Sequence, residues 1–235
     1  MARILVTGAA TGLGLDTATD LAGQGHDVVV HARNTDRLPP GDWAGTVTGD
    51  LADRDETLAL AHTAGEHGRF DAVIHNAGVM HHATVVAVNI VAPYLLTALM
   101  ERPDRLIYLS SGLHRSGSTD LAGLESGDGS YSDSKLWITT FSAALADRWP
   151  GTASHAVDPG WVPTRMGGAG APDDLAEGHL TQTWLATAPD VEPATGGYWH
   201  HRRTQDPHPA VGDERFRERL LTALERITGV SLDGS

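Results

Sequence analysis

"ILVTGAATGLG", residues 4–14, decides how the chain is read. Ile4, Leu5 and Val6 make a short apolar strand, and glycines follow at positions 8, 12 and 14. From residue 12 to residue 23 the pattern turns helical, with Leu13, Thr17, Ala18 and Leu21 on or near one face. Glycines at a strand-to-helix turn allow a tight bend and a close approach of backbone to ligand. The helix that begins there points unpaired amides toward a phosphate. A strand, three spaced glycines and a helix in that order predict a nucleotide site rather than an ordinary glycine turn.

The same alternation runs through the rest of the chain. Further strands are expected at residues 28–31, 46–48, 72–75, 106–109, 153–157 and 196–199, and further helices at 56–65, 85–99, 135–149, 173–188 and 215–227. Pro93 falls inside the helix at 85–99 and marks a kink or its true start. Short apolar strands separated by helices predict an α/β chain of one domain, with a doubly wound, mostly parallel sheet and helices on both faces. A glycine-rich excursion at 164–172 sits in an expected substrate-loop region at about 161–190.

Composition narrows the function. The 235 residues carry 30 acidic against 17 basic side chains, a formal charge of -13, which discourages nonspecific binding to nucleic acid or an anionic membrane. With no cysteine, disulfides, thiol catalysis and thiolate metal sites are excluded. Histidine pairs such as His81-His82 and His200-His201 lack a persuasive ligand set, so no metal is expected. No stretch approaches the roughly twenty apolar residues of a membrane-spanning helix. The first residues lack the apolar core and cleavage site of a signal peptide, so cytoplasmic residence is expected.

The end of the second strand should meet the adenosine ribose. An acid there would hold the 2′-hydroxyl and repel a 2′-phosphate, but this chain reads "VVVHARN", with Ala32 and Arg33. A guanidinium suits a phosphate, so NADP(H) is expected in preference to NAD(H), which stays possible. His31 reads equally well as structural. Further on, "YSDSK", residues 131–135, holds the only lysine of the chain against sixteen arginines. A compact ammonium on a flexible stem, one helical turn from Tyr131, suits a phenol and a small polar ligand together.

In this order the motifs resemble the classical short-chain dehydrogenase/reductase family. "TGAATGLG" is similar to its TGxxxGxG cofactor turn, which implies contacts from Gly8, Thr11, Gly12, Leu13 and Gly14. "GDL" resembles the segment whose Asp50 and Leu51 flank adenine, and "NAG", Asn76, Ala77 and Gly78, follows a strand as in the family. "DPGWVPT" resembles the PGxVxT loop and implies cofactor contacts from Pro159, Gly160, Val162 and Thr164. Carried over singly, Asn89, Ser111, Tyr131 and Lys135 would form a catalytic tetrad, with Tyr131 and Lys135 also touching cofactor. The long interval from Ser111 to Tyr131 is similar to that of retinol-dehydrogenase-like members, and a carbonyl-reductase-like member is the neighbouring reading. The resemblance implies a single NAD(P)-binding Rossmann domain over residues 1–235. It implies an NADP(H)-dependent oxidoreductase that reduces a carbonyl to an alcohol, or runs the reverse. A catalytically weak cofactor-binding regulatory or scaffold protein of the same fold is the alternative. The partner would be a small carbonyl or alcohol with an apolar body, without nucleic acid or membrane.

The resemblance also divides the chemistry. Tyr131 would be the general acid/base; a free phenol has a pKa of about 10, and the Lys135 ammonium is expected to favour its phenolate while holding the nicotinamide ribose. Ser111, with Ser110 as a competitor, would bond the substrate oxygen. Asn89 would anchor a water leading from Lys135 to solvent. Ser132 and Ser134 read as capping or cofactor-side residues. Only thirteen positions separate Asn76 from Asn89, fewer than the family generally has, which puts the position of Asn89 and the standard tetramer in doubt. Tyr198-Trp199 and Leu220-Leu221 offer apolar material for a homodimer instead. Trp161, Met166 and His114 are candidates for an apolar substrate wall, and Gly167, Gly168 and Gly170, beside Trp184, would permit a lid over 166–185 to close.

Overall fold

The computed structural model describes residues 1–81 and 83–233; His82, half of one histidine pair, lies outside the described residues. The strands are β1 (Arg3–Val6), β2 (Asp27–Ala32), β3 (Gly45–Thr48), β4 (Ala72–His75), β5 (Arg105–Leu109), β6 (Ala153–Asp158), β7 (Tyr198–His200) and β8 (Arg203–Thr204). They form one sheet in the order β3-β2-β1-β4-β5-β6-β7-β8, parallel except for the final β7-β8 pair. The order reverses at β1 and β4, and this switch point opens a crevice beyond the carboxyl ends of the strands. The expected single-domain Rossmann arrangement is therefore present.

Helices α1 (Gly12–Gly23), α2 (Arg54–Gly65), α3 (Ala92–Leu99), a short α4 (Ala122–Ser126), α5 (Tyr131–Arg148), α6 (Glu177–Thr187) and α7 (Glu214–Thr228) complete the chain. Strand alternation sorts them into two layers. Ile4, Val6, Val28, Val30 and Ile74 pack with Ala18 and Leu21 of α1 and Leu185 of α6. Leu5, Val29 and Val73 point the other way, into a core shared with Leu60, Leu96, Phe141 and Leu220 of α2, α3, α5 and α7. Both faces of the sheet are covered, which is why its strands read as continuous apolar runs.

Several element boundaries differ from the sequence reading for local reasons. Helix α5 begins at Tyr131 rather than at residue 135. The Asp133 amide donates to Ser130 Oγ at 3.1 Å and the Ser130 amide donates to Asp133 Oδ2 at 3.1 Å, a capping box that starts the helix earlier. Ser132 is therefore not the cap, and Ser134 turns inward to donate to the Tyr131 carbonyl. The helix around Asn89 contains a wide π turn, Ala87–Val91, just ahead of Pro93. Proline lacks the amide that would bond one turn back, and a wide turn accommodates that loss. The helix expected from residue 173 starts only at Glu177, because Asp173 and Asp174 accept from the amides of Trp161 and Ala176 and hold a loop instead.

Helix α5 is enclosed: every residue from Ser134 to Leu145 is buried, with α7 and the turn Pro209–Gly212 packed along it. The side chains expected to serve a subunit contact are taken up by packing on one face of the sheet or the other. Tyr198, Trp199 and Leu220 are buried within the protomer and Leu221 is half-buried, so they are not free contact material.

Four buried histidines give the fold an acid limit. Burial lowers His75 to about 3 and His155 to about 4, and moves His31 and His114 in the same direction. Below about pH 6.5 the unfolded chain takes up protons that these folded imidazoles refuse, at a cost near 1.4 kcal/mol per pH unit for His75 and for His155 until their folded values are reached. Stability is thus complete above that pH and is lost as pH falls toward the folded values. Thermal melts should show Tm falling steadily from pH 7 to pH 4.5; a flat Tm over that range would contradict this account.

Candidate active site

A cleft of about 560 Å³ opens at the switch point. Its floor is the turn after β1. Gly8 has φ +66°, and a Cβ there would lie 2.8 Å from Ala77 Cα. One on Gly14 would lie 2.4 Å from both Asn76 Nδ2 and the Gly8 carbonyl oxygen. The turn is packed directly on the NAG segment, where Asn76 Nδ2 donates to the Thr7 carbonyl at 3.0 Å and the Ala77 amide donates to Thr7 Oγ1 at 3.1 Å. Thr11 makes no side-chain cap on α1, and no acid occupies the first turn. The amide end of α1 is thereby left to an anion.

His31 has a place in this site that its sequence position did not disclose. The Gly8 amide donates to Nδ1 at 3.1 Å, which leaves the ring proton on Nε2 to be donated to the Gly49 carbonyl at 2.9 Å. One neutral imidazole thus ties the glycine turn to the GDL segment. Arg33 stands at the cleft wall with Asp50 Oδ2 3.5 Å from its Nε, and Leu51 lines the same end. Arg37, three residues beyond the strand-end "RN" and missed in the sequence, adds a second guanidinium there. Its only signal was proximity to Arg33.

At the other end of the cleft the first turn of α5 brings Tyr131 and Lys135 to one face. Lys135 is 4% exposed, and its Nζ donates to the Leu109 carbonyl at 2.6 Å while standing 5.4 Å from the centre of the Tyr131 ring. Burial pushes the ammonium down to about 8, with Asp158 opposing. Gly78 keeps the approach open: a Cβ there would be 3.5 Å from Asn89 Oδ1 and 3.6 Å from Lys135 Nζ. The Ser111 hydroxyl lies near that of Tyr131 and also accepts from the Leu113 amide at 3.2 Å. Burial raises the phenol above its ordinary value, the Ser111 hydroxyl lowers it, and Asp158 raises it further. The expected lowering by Lys135 is absent, because the ammonium points at a carbonyl and lies over the ring rather than beside the hydroxyl. Tyr131 is a protonated acid in this arrangement.

The two serines separate cleanly. Ser110 lines the cleft, but its hydroxyl is buried and bonded to Thr139 Oγ1 at 2.6 Å. The Ser111 hydroxyl instead caps the following turn, accepting from the Leu113 amide at 3.2 Å, and lies near Tyr131. Asn89 is close to Lys135 despite the short link, but its amide is already engaged. Oδ1 accepts from the Val79 amide at 2.9 Å, and Nδ2 donates to the Val79 carbonyl at 2.9 Å and to Ser134 Oγ at 3.0 Å. The side chain fastens the segment that precedes it to Ser134 of α5.

Around the rim, Pro159 and Thr164 line the cleft together with Met80, Val88, Arg165 and Met166. Gly160 and Val162 do not reach it; Val162 is buried beneath the loop, against Gly178. Trp161 is 60% exposed, with its indole N–H donated to the Gly167 carbonyl at 2.8 Å, and it stands outside the cleft wall. His114 is fully buried behind Ser111 and is not a wall residue. Trp184 packs edge-on against Trp199 at 5.1 Å, so α6 belongs to the core and not to a lid.

A family model described as short chain dehydrogenase matches residues 2–174. The chain is 37% identical to the short-chain dehydrogenase chyC of Penicillium rubens over 99% of each chain. It is 28% identical to retinol dehydrogenase 13 of Mus musculus over 97% of this chain and 84% of that one. Its fold superposes on a blue fluorescent protein from a metagenomic library, solved in complex with NADPH, with a TM-score of 0.71 and 20% identity. That match covers 85% of this chain and 95% of the other.

The packing of the glycine turn is open to direct measurement. Gly14→Ala forces a methyl against an amide and a carbonyl, an overpacking cost of about 1–3 kcal/mol, whereas Gly23→Ala at the end of α1 meets nothing within 4 Å. Thermal melts should show a Tm lowered by several degrees in the first variant and unchanged or raised in the second. Equal melting of the two would contradict the geometry.

Proposed function

Because the chain belongs to the short-chain dehydrogenase family, we propose that it is an NADP(H)-dependent oxidoreductase that reduces a carbonyl to an alcohol or runs the reverse. The observation that carries this reading is the meeting of Tyr131 and a buried Lys135 at one end of a dinucleotide-sized cleft, with Ser111 near the Tyr131 hydroxyl. The residues present fit that cofactor. Glycines keep the floor free of side chains, the amide end of α1 faces the pyrophosphate position, and Arg33 and Arg37 stand where a 2′-phosphate would lie. Asp50 is paired to Arg33, which weakens its repulsion of that phosphate. NADPH in the solved structure of similar fold supports the same choice. Identity to a retinol dehydrogenase over nearly the whole chain supports the retinol-dehydrogenase-like subfamily. Among the described residues no helix is long and apolar enough to cross a membrane; cytoplasmic residence is part of the same proposal.

When bound, the nicotinamide supplies the hydride. Tyr131 gives its proton to the substrate oxygen, a task suited to a phenol that burial keeps protonated. Ser111 bonds the same oxygen and stabilises the charge that develops on it. Lys135, charged below about pH 8, would hold the ribose hydroxyls of the bound cofactor. Asn89 holds Val79 and Ser134 in place beside it. Met80, Val88 and Met166 suit a substrate with an apolar body. In the oxidative direction Tyr131 must first lose its proton, so that direction gains as pH rises.

A panel of aldehydes and ketones, followed by the loss of reduced-nicotinamide absorbance, tests the reading. Tyr131→Phe should lower kcat by about 10²- to 10⁴-fold with NADPH affinity retained. Removing both guanidiniums, Arg33→Ala with Arg37→Ala, should weaken NADPH by about 10- to 100-fold and leave NADH binding unchanged. Tight NADPH binding with no turnover across the panel would shift the reading to a cofactor-binding regulatory protein.

A further inference from the structure

We propose that His114 is a positioning residue for Ser111, holding the Ser111 carbonyl with one ring nitrogen and the loop before α7 with the other. The inference rests on the role given to Ser111 above. His114 lies in the short 3-10 turn Gly112–Ser116 and is fully buried. The His208 amide is 3.0 Å from Nε2, and an amide can only donate, so Nε2 is the accepting nitrogen. The ring proton therefore sits on Nδ1 and is donated to the Ser111 carbonyl at 2.7 Å. The His114 amide reaches that carbonyl as well, at 3.0 Å. Ser111 is thereby fixed at the head of the turn, in extended backbone at φ -168°, where its hydroxyl accepts from the Leu113 amide at 3.2 Å and lies near Tyr131.

The ring is held from its face too. Tyr198 of β7 lies 4.5 Å away, centre to centre, and its hydroxyl donates to Asp158 Oδ2 at 3.3 Å. A buried imidazole with both nitrogens committed and one face covered has a single orientation. It joins the end of β5 to two segments more than eighty residues further along.

The same clamp carries a pH limit. A second proton would place N–H on Nε2 against the His208 N–H, donor against donor, and the bond would be lost. Arg115 from the same turn and His208 from the facing loop oppose that proton; Asp158 from β6 favours it, and Tyr198 brings no charge. Burial is the largest influence and lowers the imidazole below its usual value. The clamp is intact at neutral pH and opens in acid.

Two substitutions divide its hydrogen bonds. In His114→Asn the amide N–H can replace Nδ1 and keep the bond to Ser111. In His114→Gln the longer side chain can accept from His208 but leaves the Ser111 carbonyl. Carbonyl reduction with NADPH should show kcat lowered about 10- to 100-fold in the Gln variant and less than about fivefold in the Asn variant, as displacement of a reacting group predicts. KM for the carbonyl and the Kd for NADPH should stay near wild type in both. Wild-type kcat should fall in acid, at a pH below the ordinary imidazole range, and the Asn variant should lose that acid limb. Equal losses in the two variants, or an acid limb that survives in Asn, would overturn the assignment. If the Gln variant does not fold, a wild-type kcat without an acid limb overturns it alone. Ser111→Ala is the control: wild-type turnover there defeats the parent reading, whereas an impaired Ser111→Ala beside wild-type His114 variants defeats this inference only.

Discussion

A buried ammonium has to be met by oxygen, and in this chain one backbone carbonyl meets it. Lys135 Nζ and the Leu109 carbonyl, 2.6 Å apart, join the first turn of α5 to the last residue of β5. An unpaired charge at that depth costs several kcal/mol, so the contact restricts how helix and strand can dock. Ser110, the next residue, bonds Thr139 one turn further along α5 and closes the seam. With the seam closed, Tyr131 has one place to go, and Ser111 is the first residue beyond the strand that can reach it.

The opposite end of the cleft is held without charge. Glycines let the β1 turn press on the NAG segment, and the neutral His31 ring connects that turn to the carbonyl of Gly49. Rigid backbone there leaves α1 amides aimed outward for an anion. The molecule as a whole is acidic at -13, yet Arg33, Arg37, Arg165 and Lys135 all line this one cleft. Positive groups gathered in a concave surface concentrate field lines, so an anionic dinucleotide is drawn to the cleft against the net charge.

The link between Asn76 and Asn89 is fastened by the side chain at its end. The Asn89 amide exchanges two hydrogen bonds with Val79, which closes the segment on itself. The wide turn at Ala87–Val91 leads into the regular helix that carries Pro93. The side chain that the family pattern points to is in place near Lys135, but it works as a fastening.

Apolar runs and glycine spacing were enough to read the strand-helix alternation, the parallel sheet and the nucleotide turn, because each depends on residues close in sequence. Tyr131 and Lys135 were legible for the same reason, being four residues apart on one helix. Arg33 was legible as a strand-end cation, whereas its pairing with Asp50 was not. The roles of His31 and His114 were hidden, since a histidine's two ring nitrogens acquire partners only when distant segments fold onto them: Gly8 and Gly49 in one case, Ser111 and His208 in the other. The protonated state of Tyr131 was misread on similar grounds. Sequence places an ammonium one turn away, but burial and the direction of Nζ decide which atom it serves, and both belong to tertiary packing.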